Sequence, residues 1–104
     1  MTDSEFHQLA DLIFEQLEEA LDNHDGEIDY EGEGGLLKLN FENGSQMIIN
    51  KQEPLHQIWL ATKFDGHHFE YRDSQWVDIR TGNEFFSFLQ QVIEKQSGEH
   101  LTLS

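Results

Sequence analysis

The chain has 104 residues, 37% of them hydrophobic, enough for one compact domain spanning residues 1–104 with a modest core and no room for a second. Its 21 Asp and Glu against 6 Lys and Arg give a formal net charge of -15, so DNA and RNA are repelled, and cations or basic protein surfaces are the natural partners. The absence of cysteine excludes a disulfide framework, a thiolate metal site, a cysteine nucleophile and an iron–sulfur cluster held by the chain's own thiolates.

The opening Met1-Thr2-Asp3-Ser4-Glu5 is acidic, without the basic start and apolar run of a secretory signal, and no stretch approaches the about 18 apolar residues of a membrane span. A cytoplasmic protein without membrane association is expected.

Ser4 or Asp3 is placed to cap a first helix, in which Phe6, Leu9, Ala10, Ile13, Leu17, Ala20 and Leu21 recur with a 3.6-residue rhythm until Asp22 to His24. The rhythm then changes to two. Ile28 and Tyr30 alternate with Glu27, Asp29 and Glu31, and beyond a Gly34-Gly35 turn Leu37, Leu39 and Phe41 alternate with Lys38 and Asn40. Asn43-Gly44 signals a two-residue hairpin with positive φ at both positions, leading to a strand through Met47 and Ile49. Asn43-Gly44-Ser45 also spells a glycosylation sequon, which the turn explains better in a chain without a secretion signal.

Three short strands follow: Gln57 to Ala61, His67 to Tyr71, and Gln75 to Val77. Thr81-Gly82-Asn83-Glu84 has the spacing of a capping box before a second helix, with Phe85, Phe88, Leu89 and Val92 as its apolar stripe and its end near Ser97-Gly98. Leu101 and Leu103 are expected to tuck against the helices. The order predicts an α+β fold, a two-layer αβ sandwich with two helices on one face of an antiparallel sheet of about six strands, the other face partly open.

Twelve acids (Asp3, Glu5, Asp11, Glu15, Glu18, Glu19, Asp22, Asp25, Glu27, Asp29, Glu31 and Glu33) occupy the first 33 residues, which contain no Lys or Arg. At about 100° per residue Asp11, Glu15, Glu18 and Asp22 fall within about 60° of one another, opposite the apolar stripe. Glu27, Asp29 and Glu31 share one side of the first strand, and an edge position beside the helix would merge both rows. Like charges at i,i+4 cost a helix about 0.2–0.5 kcal/mol per pair, so stability alone favours interspersed lysines. Clustered carboxylates are hard oxygen ligands for Fe²⁺, Fe³⁺, Mn²⁺, Ca²⁺ or Mg²⁺, and an exposed row gives weak, multiple, salt-sensitive binding. A merely solvated face and adaptation to high salt are the competing explanations.

Asp3, His7 and Asp11, spaced i,i+4, form a second candidate chelate, while the other histidines show little pattern. No Ser/His/Asp arrangement, phosphate loop or zinc motif supports catalysis. If Ile58 and Leu60 point inward, Trp59 falls on the open sheet face, where a large aromatic marks a contact site.

Asn50-Lys51-Gln52-Glu53-Pro54-Leu55-His56-Gln57-Ile58-Trp59-Leu60-Ala61 closely resembles the signature of the bacterial frataxin family. Ser4-Glu5-Phe6-His7, Leu9-Ala10-Asp11 and Phe41-Glu42-Asn43-Gly44-Ser45 extend the likeness over nearly the whole chain. The resemblance implies weak ferrous and ferric iron binding, participation in iron–sulfur cluster assembly, and docking on a basic surface of the cysteine desulfurase, with the scaffold protein as a further partner. It also implies a monomer that iron can drive into oligomers. By position it puts the iron and docking ridge at Glu18, Glu19, Asp22, Asp25, Glu27, Asp29 and Glu31, and Trp59 on the partner-facing sheet; helix geometry alone adds Asp11 and Glu15. Asn23, where another acid is expected, departs from the pattern. The leading expectation is a binding and regulatory module and not an enzyme; a ferroxidase or iron-storage protein and an acidic nucleic-acid mimic are the alternatives.

Overall fold

The computed structural model of the protein describes residues 1–103. Helix α1 (Asp3–Asp22) is followed by strands β1 (Ile28–Glu33), β2 (Leu36–Phe41) and β3 (Gln46–Gln52), then by a single 3₁₀ turn over Glu53–Leu55. Strands β4 (Gln57–Ala61), β5 (Gly66–Arg72) and β6 (Gln75–Asp78) and helix α2 (Phe85–Ser97) complete the chain. The six strands form one antiparallel meander in sequence order, so β1 and β6 are the two edges. This is the expected two-layer sandwich, and the period of two decides what it buries. Leu37, Leu39, Met47, Ile49, Ile58, Leu60 and Phe69 face the helices and meet Phe6, Leu17, Phe85, Leu89 and Ile93 in one core.

Several local expectations change. The cap of α1 is Thr2, not Ser4 or Asp3: its Oγ1 accepts from the Glu5 N–H, and the Glu5 carboxylate accepts from the Thr2 N–H. That reciprocal pair satisfies two end groups at once, which a cap one residue later would not. Helix α2 is capped by Glu84 itself, whose carboxylate accepts from the Phe86 and Ser87 N–H groups, while the Thr81 hydroxyl accepts from Asn83 in the preceding turn.

At the Asn43-Gly44 hairpin only Gly44 adopts positive φ, at 86°. The Gly44 N–H donates to the Phe41 carbonyl, so the turn is centred on Glu42-Asn43 and Gly44 takes the left-handed position after it, while the Asn43 side chain accepts from the Ser45 N–H and donates to the Gln96 carbonyl. Two-residue turns with positive φ at both positions join β1 to β2 at Gly34-Gly35 (58° and 83°), where a turn is expected, and β5 to β6 at Asp73-Ser74 (52° and 67°).

Buried Gln96 ties α2 to the sheet, and buried His67 ties β5 to its neighbours within the sheet. Gln96 donates to Ser45 and to the Gln46 carbonyl and accepts from the Lys63 N–H. His67 lies between Asp78 at 2.9 Å and Asp65 at 2.5 Å. Burial pushes the Asp78 carboxyl up, but hydrogen bonds from the Arg80 N–H and from His67 outweigh it and hold the group below its ordinary value. Beyond α2, Leu101 is buried and the Leu103 N–H donates to Gln90, as the tail was expected to do. No described helix is long and apolar enough to cross a membrane.

Two leucines of α1 test this packing. Leu17 is fully buried and Leu12 is 54% exposed. Leu17→Ala is expected to destabilise the fold by about 2–5 kcal/mol in urea unfolding, and Leu12→Ala to change it by no more than about 0.5 kcal/mol.

Candidate functional site

Helix α1 packs beside the free edge strand β1, and the two meet at Tyr30 and Gly32. Tyr30, on the helix-facing side of β1, donates its hydroxyl to Asp22 Oδ1 at 2.5 Å. Two residues on, Glu18 lies so close over the strand that a Cβ at Gly32 would stand 3.1 Å from its Oε1. The small side chain at position 32 is thus what lets a carboxylate of the helix rest against the strand.

Asp29 and Glu31 alternate with Tyr30 and so point to the opposite, open face. The helix and strand carboxylates therefore wrap the free edge from both sides and do not form one line. Glu27 and Asp25, in the connection between α1 and β1, close the gap around the end of the strand. Glu31 stands opposite Lys38 in the β1–β2 register and Asp29 opposite Asn40.

Charge on this edge is poorly compensated. Among the described residues, none of Glu15, Glu18, Glu19, Asp22, Asp25, Glu27, Asp29 and Glu31 comes within ion-pair distance of a Lys, Arg or His. The last turn of α1 contains no base, so Glu18, Glu19 and Asp22 crowd the end where the helix dipole is already negative. Each such placement costs about 0.3–1 kcal/mol at low ionic strength. A bound cation or an apposed basic surface removes both penalties.

Asp3, His7 and Asp11 have a different environment. Asp11 accepts from Lys51 Nζ at 2.6 Å, His7 bonds Glu53 at 2.5 Å, and Asp3 bonds His56 at 2.7 Å. Each is engaged by β3 or the turn after it, and a cation there must displace those partners. Among the described residues, no three His, Asp or Glu side chains are gathered tightly enough to hold an ion unaided. Any ion on the ridge takes few protein ligands and completes its shell with water.

Trp59 lies half-buried on the open face between Asn50 and His68 of the neighbouring strands. Its indole stacks on the His68 ring, with centroids 4.1 Å apart and planes at 9°, and its Nε1 donates to Gln57. Ile48 and Asn50 line a shallow hollow of about 200 Å³ beside it. Sequence periodicity places Trp59 on this face but is silent on His68, which becomes its platform only through the β4–β5 register.

The hydrogen bond to Asp22, with burial and the charges of Asp22 and Glu18, pushes the Tyr30 hydroxyl from its ordinary 10.0 up to about 12. A group whose pKa is raised by folding stabilises the fold below its unfolded value and loses that contribution as pH climbs through the folded one. Stability is therefore expected to fall between pH of about 10 and about 12 as Tyr30 ionises. In Asp22→Asn, the phenolate absorption of Tyr30 should appear at clearly lower pH than in the unmodified protein.

The chain is similar along its whole length to known proteins. Residues 1–99 match the frataxin-like domain family. The solved frataxin of Psychromonas ingrahamii is 47% identical and superimposes with a TM-score of 0.94, covering 100% of this chain and 99% of that one. A trimeric frataxin from the yeast Saccharomyces cerevisiae, complexed with ferrous iron, is 30% identical with a TM-score of 0.71, covering 91% and 87%. A second yeast frataxin structure, 28% identical, has a TM-score of 0.67 and covers 89% and 80%. Domain match, sequence identity and superposition agree over the helices and all six strands, and the chain belongs to the frataxin family.

Proposed function

We propose that the protein binds iron weakly on its carboxylate edge and acts in iron–sulfur cluster assembly in the cytoplasm, as a regulator of the cysteine desulfurase, as an iron donor, or as both. The observation that carries this reading is the concentration of uncompensated carboxylates where the C-terminal end of α1 meets the free edge of β1. Hard, anionic, water-accessible oxygen ligands suit Fe²⁺ and Fe³⁺ as well as Ca²⁺ and Mg²⁺, so the iron assignment draws on the family and on the ferrous complex of the yeast protein.

The ligands are Glu18, Glu19 and Asp22 from the helix and Asp25, Glu27, Asp29 and Glu31 from the loop and strand, with Asp11 and Glu15 extending the row. Few protein ligands per ion favour exchange over storage. This speaks for carrying and sensing iron and against a ferroxidase, which needs an enclosed pair of ions. The same charges steer the protein toward a basic partner surface. Trp59, presented on the open face and braced by His68, supplies the apolar anchor that charge steering lacks.

Binding to the desulfurase separates the two contributions. Replacing Glu18, Glu19 and Asp22 by Lys is expected to weaken the complex by more than about tenfold and to flatten its dependence on ionic strength. Trp59→Ala should weaken it by about thirtyfold while leaving the salt dependence intact. Unchanged affinity and unchanged salt slope in the triple variant would remove the ridge from partner binding.

A further inference from the structure

At the far end of the edge, the connection from α1 to β1 meets the segment that follows α2. His24 belongs to the first and Glu99 to the second. The His24 side chain is only 13% exposed, and its Nε2 is buried without a hydrogen-bond partner. Leaving such a nitrogen unpaired in the folded state is costly, and native structures rarely tolerate it without a ligand or a role.

Nε2 faces Glu99 Oε2 at 3.5 Å, too far for a good hydrogen bond. Two ligands bound at about 2.0–2.2 Å to one tetrahedral zinc ion stand roughly 3.4 Å apart. The carboxylate is also held in place. Glu99 Oε1 accepts from the Glu27 N–H at 2.5 Å, which leaves Oε2 turned toward His24. Outer hydrogen bonds of this kind orient the ligands of metal sites.

Gly26 lies beneath the pair. A Cβ on it would stand 2.3 Å from His24 Nε2 and 2.5 Å from both Glu99 oxygens, so three ligand-type atoms converge above a residue that has no side chain. Gly26 has no positive φ, so its backbone does not require glycine; the space above it does. Beside the pair opens a cavity of about 850 Å³, with Glu19, Asp25 and His100 on its walls. It offers room for water ligands and a negative field that draws cations.

We propose that His24 Nε2 and Glu99 Oε2 form a divalent-cation site distinct from the carboxylate ridge, selective for borderline metals such as Zn²⁺. An imidazole nitrogen favours Zn²⁺, Co²⁺ or Ni²⁺ over the Ca²⁺ and Mg²⁺ that an all-oxygen ridge accepts equally well. Two protein ligands with water completing the shell give modest affinity. Because the ligands come from opposite ends of the chain, the ion clasps the segment after α2 to the loop that starts β1. The site does not depend on the ridge binding iron.

The test is a Zn²⁺ titration at neutral pH, following all the histidine ring nitrogens by NMR in isotope-labelled protein. The His24 Nε2 resonance is expected to move first, and with saturation. Gly26→Ala keeps both ligands but puts a methyl group between them, and Glu99→Gln keeps the shape but removes the charge. Each should weaken Zn²⁺ binding at His24 by more than about tenfold. Combined Glu18→Gln, Asp29→Asn and Glu31→Gln, ridge acids that do not line this cavity, should leave it unchanged. The proposal is overturned if His24 stays still while other histidines respond, or if Glu99→Gln binds Zn²⁺ at His24 as the unmodified protein does. Should Gly26→Ala not fold, Glu99→Gln decides alone.

Discussion

The packing of α1 across the sheet, from Trp76 of β6 beside Phe6 to the free edge of β1 under its C-terminal end, is the constraint on which the rest of the molecule depends. Phe6, Ala10, Leu17 and Leu21 are buried, and that stripe fixes the helix about its own axis. Once the stripe is fixed, Glu18 and Asp22 have no choice of direction: they overhang β1, where Gly32 and the Tyr30 hydroxyl receive them. Hydrophobic burial on one side of the helix thus sets the electrostatics on the other.

The resulting edge is anionic at a place where two other features are already unfavourable. The C-terminal end of a helix carries partial negative charge, and an edge strand leaves backbone groups unpaired. Charged side chains on β1 discourage pairing with another sheet, which is one structural return for their presence. It does not account for Glu18, Glu19 and Asp22, which belong to the helix and have no basic neighbour in the last turn. The Tyr30 hydroxyl bonds one oxygen of Asp22, and the charge repulsion that remains is relieved by a cation or a basic surface from outside the chain. The N-terminal half of the helix shows the contrast: there Asp11 has Lys51 and Asp3 has His56, and the charges are settled within the fold.

Where a residue type and a short-range rhythm decided the outcome, the sequence could be read directly. The helices, the six strands and the side of β4 on which Trp59 stands follow from periods of 3.6 and two. The caps were legible only in part, because Thr2, Asp3 and Ser4 are all good N-cap types and the choice rests on which carboxylate can reach back, here that of Glu5. The hairpin at Asn43-Gly44 forms as its dipeptide signals, but its turn is centred one residue earlier, on Glu42-Asn43, and the bond from Asn43 to Gln96, far away in the chain, is carried by no dipeptide preference. For the same reason the wrapping of acids around both sides of β1, the His68 platform under Trp59 and the meeting of His24 with Glu99 could not be read ahead: each depends on strand register or on the path of the chain after α2.

The claim that the uncompensated edge is where iron binds can be met most directly by anaerobic titration with Fe²⁺, watching every backbone amide by NMR. The account predicts that broadening begins at Glu18, Glu19 and Asp22 and spreads to Asp25, Asp29 and Glu31, with the amides of β5 and β6 unaffected. Broadening that begins instead at Asp3, His7 and His56, or that touches no carboxylate of α1 and β1, would contradict it.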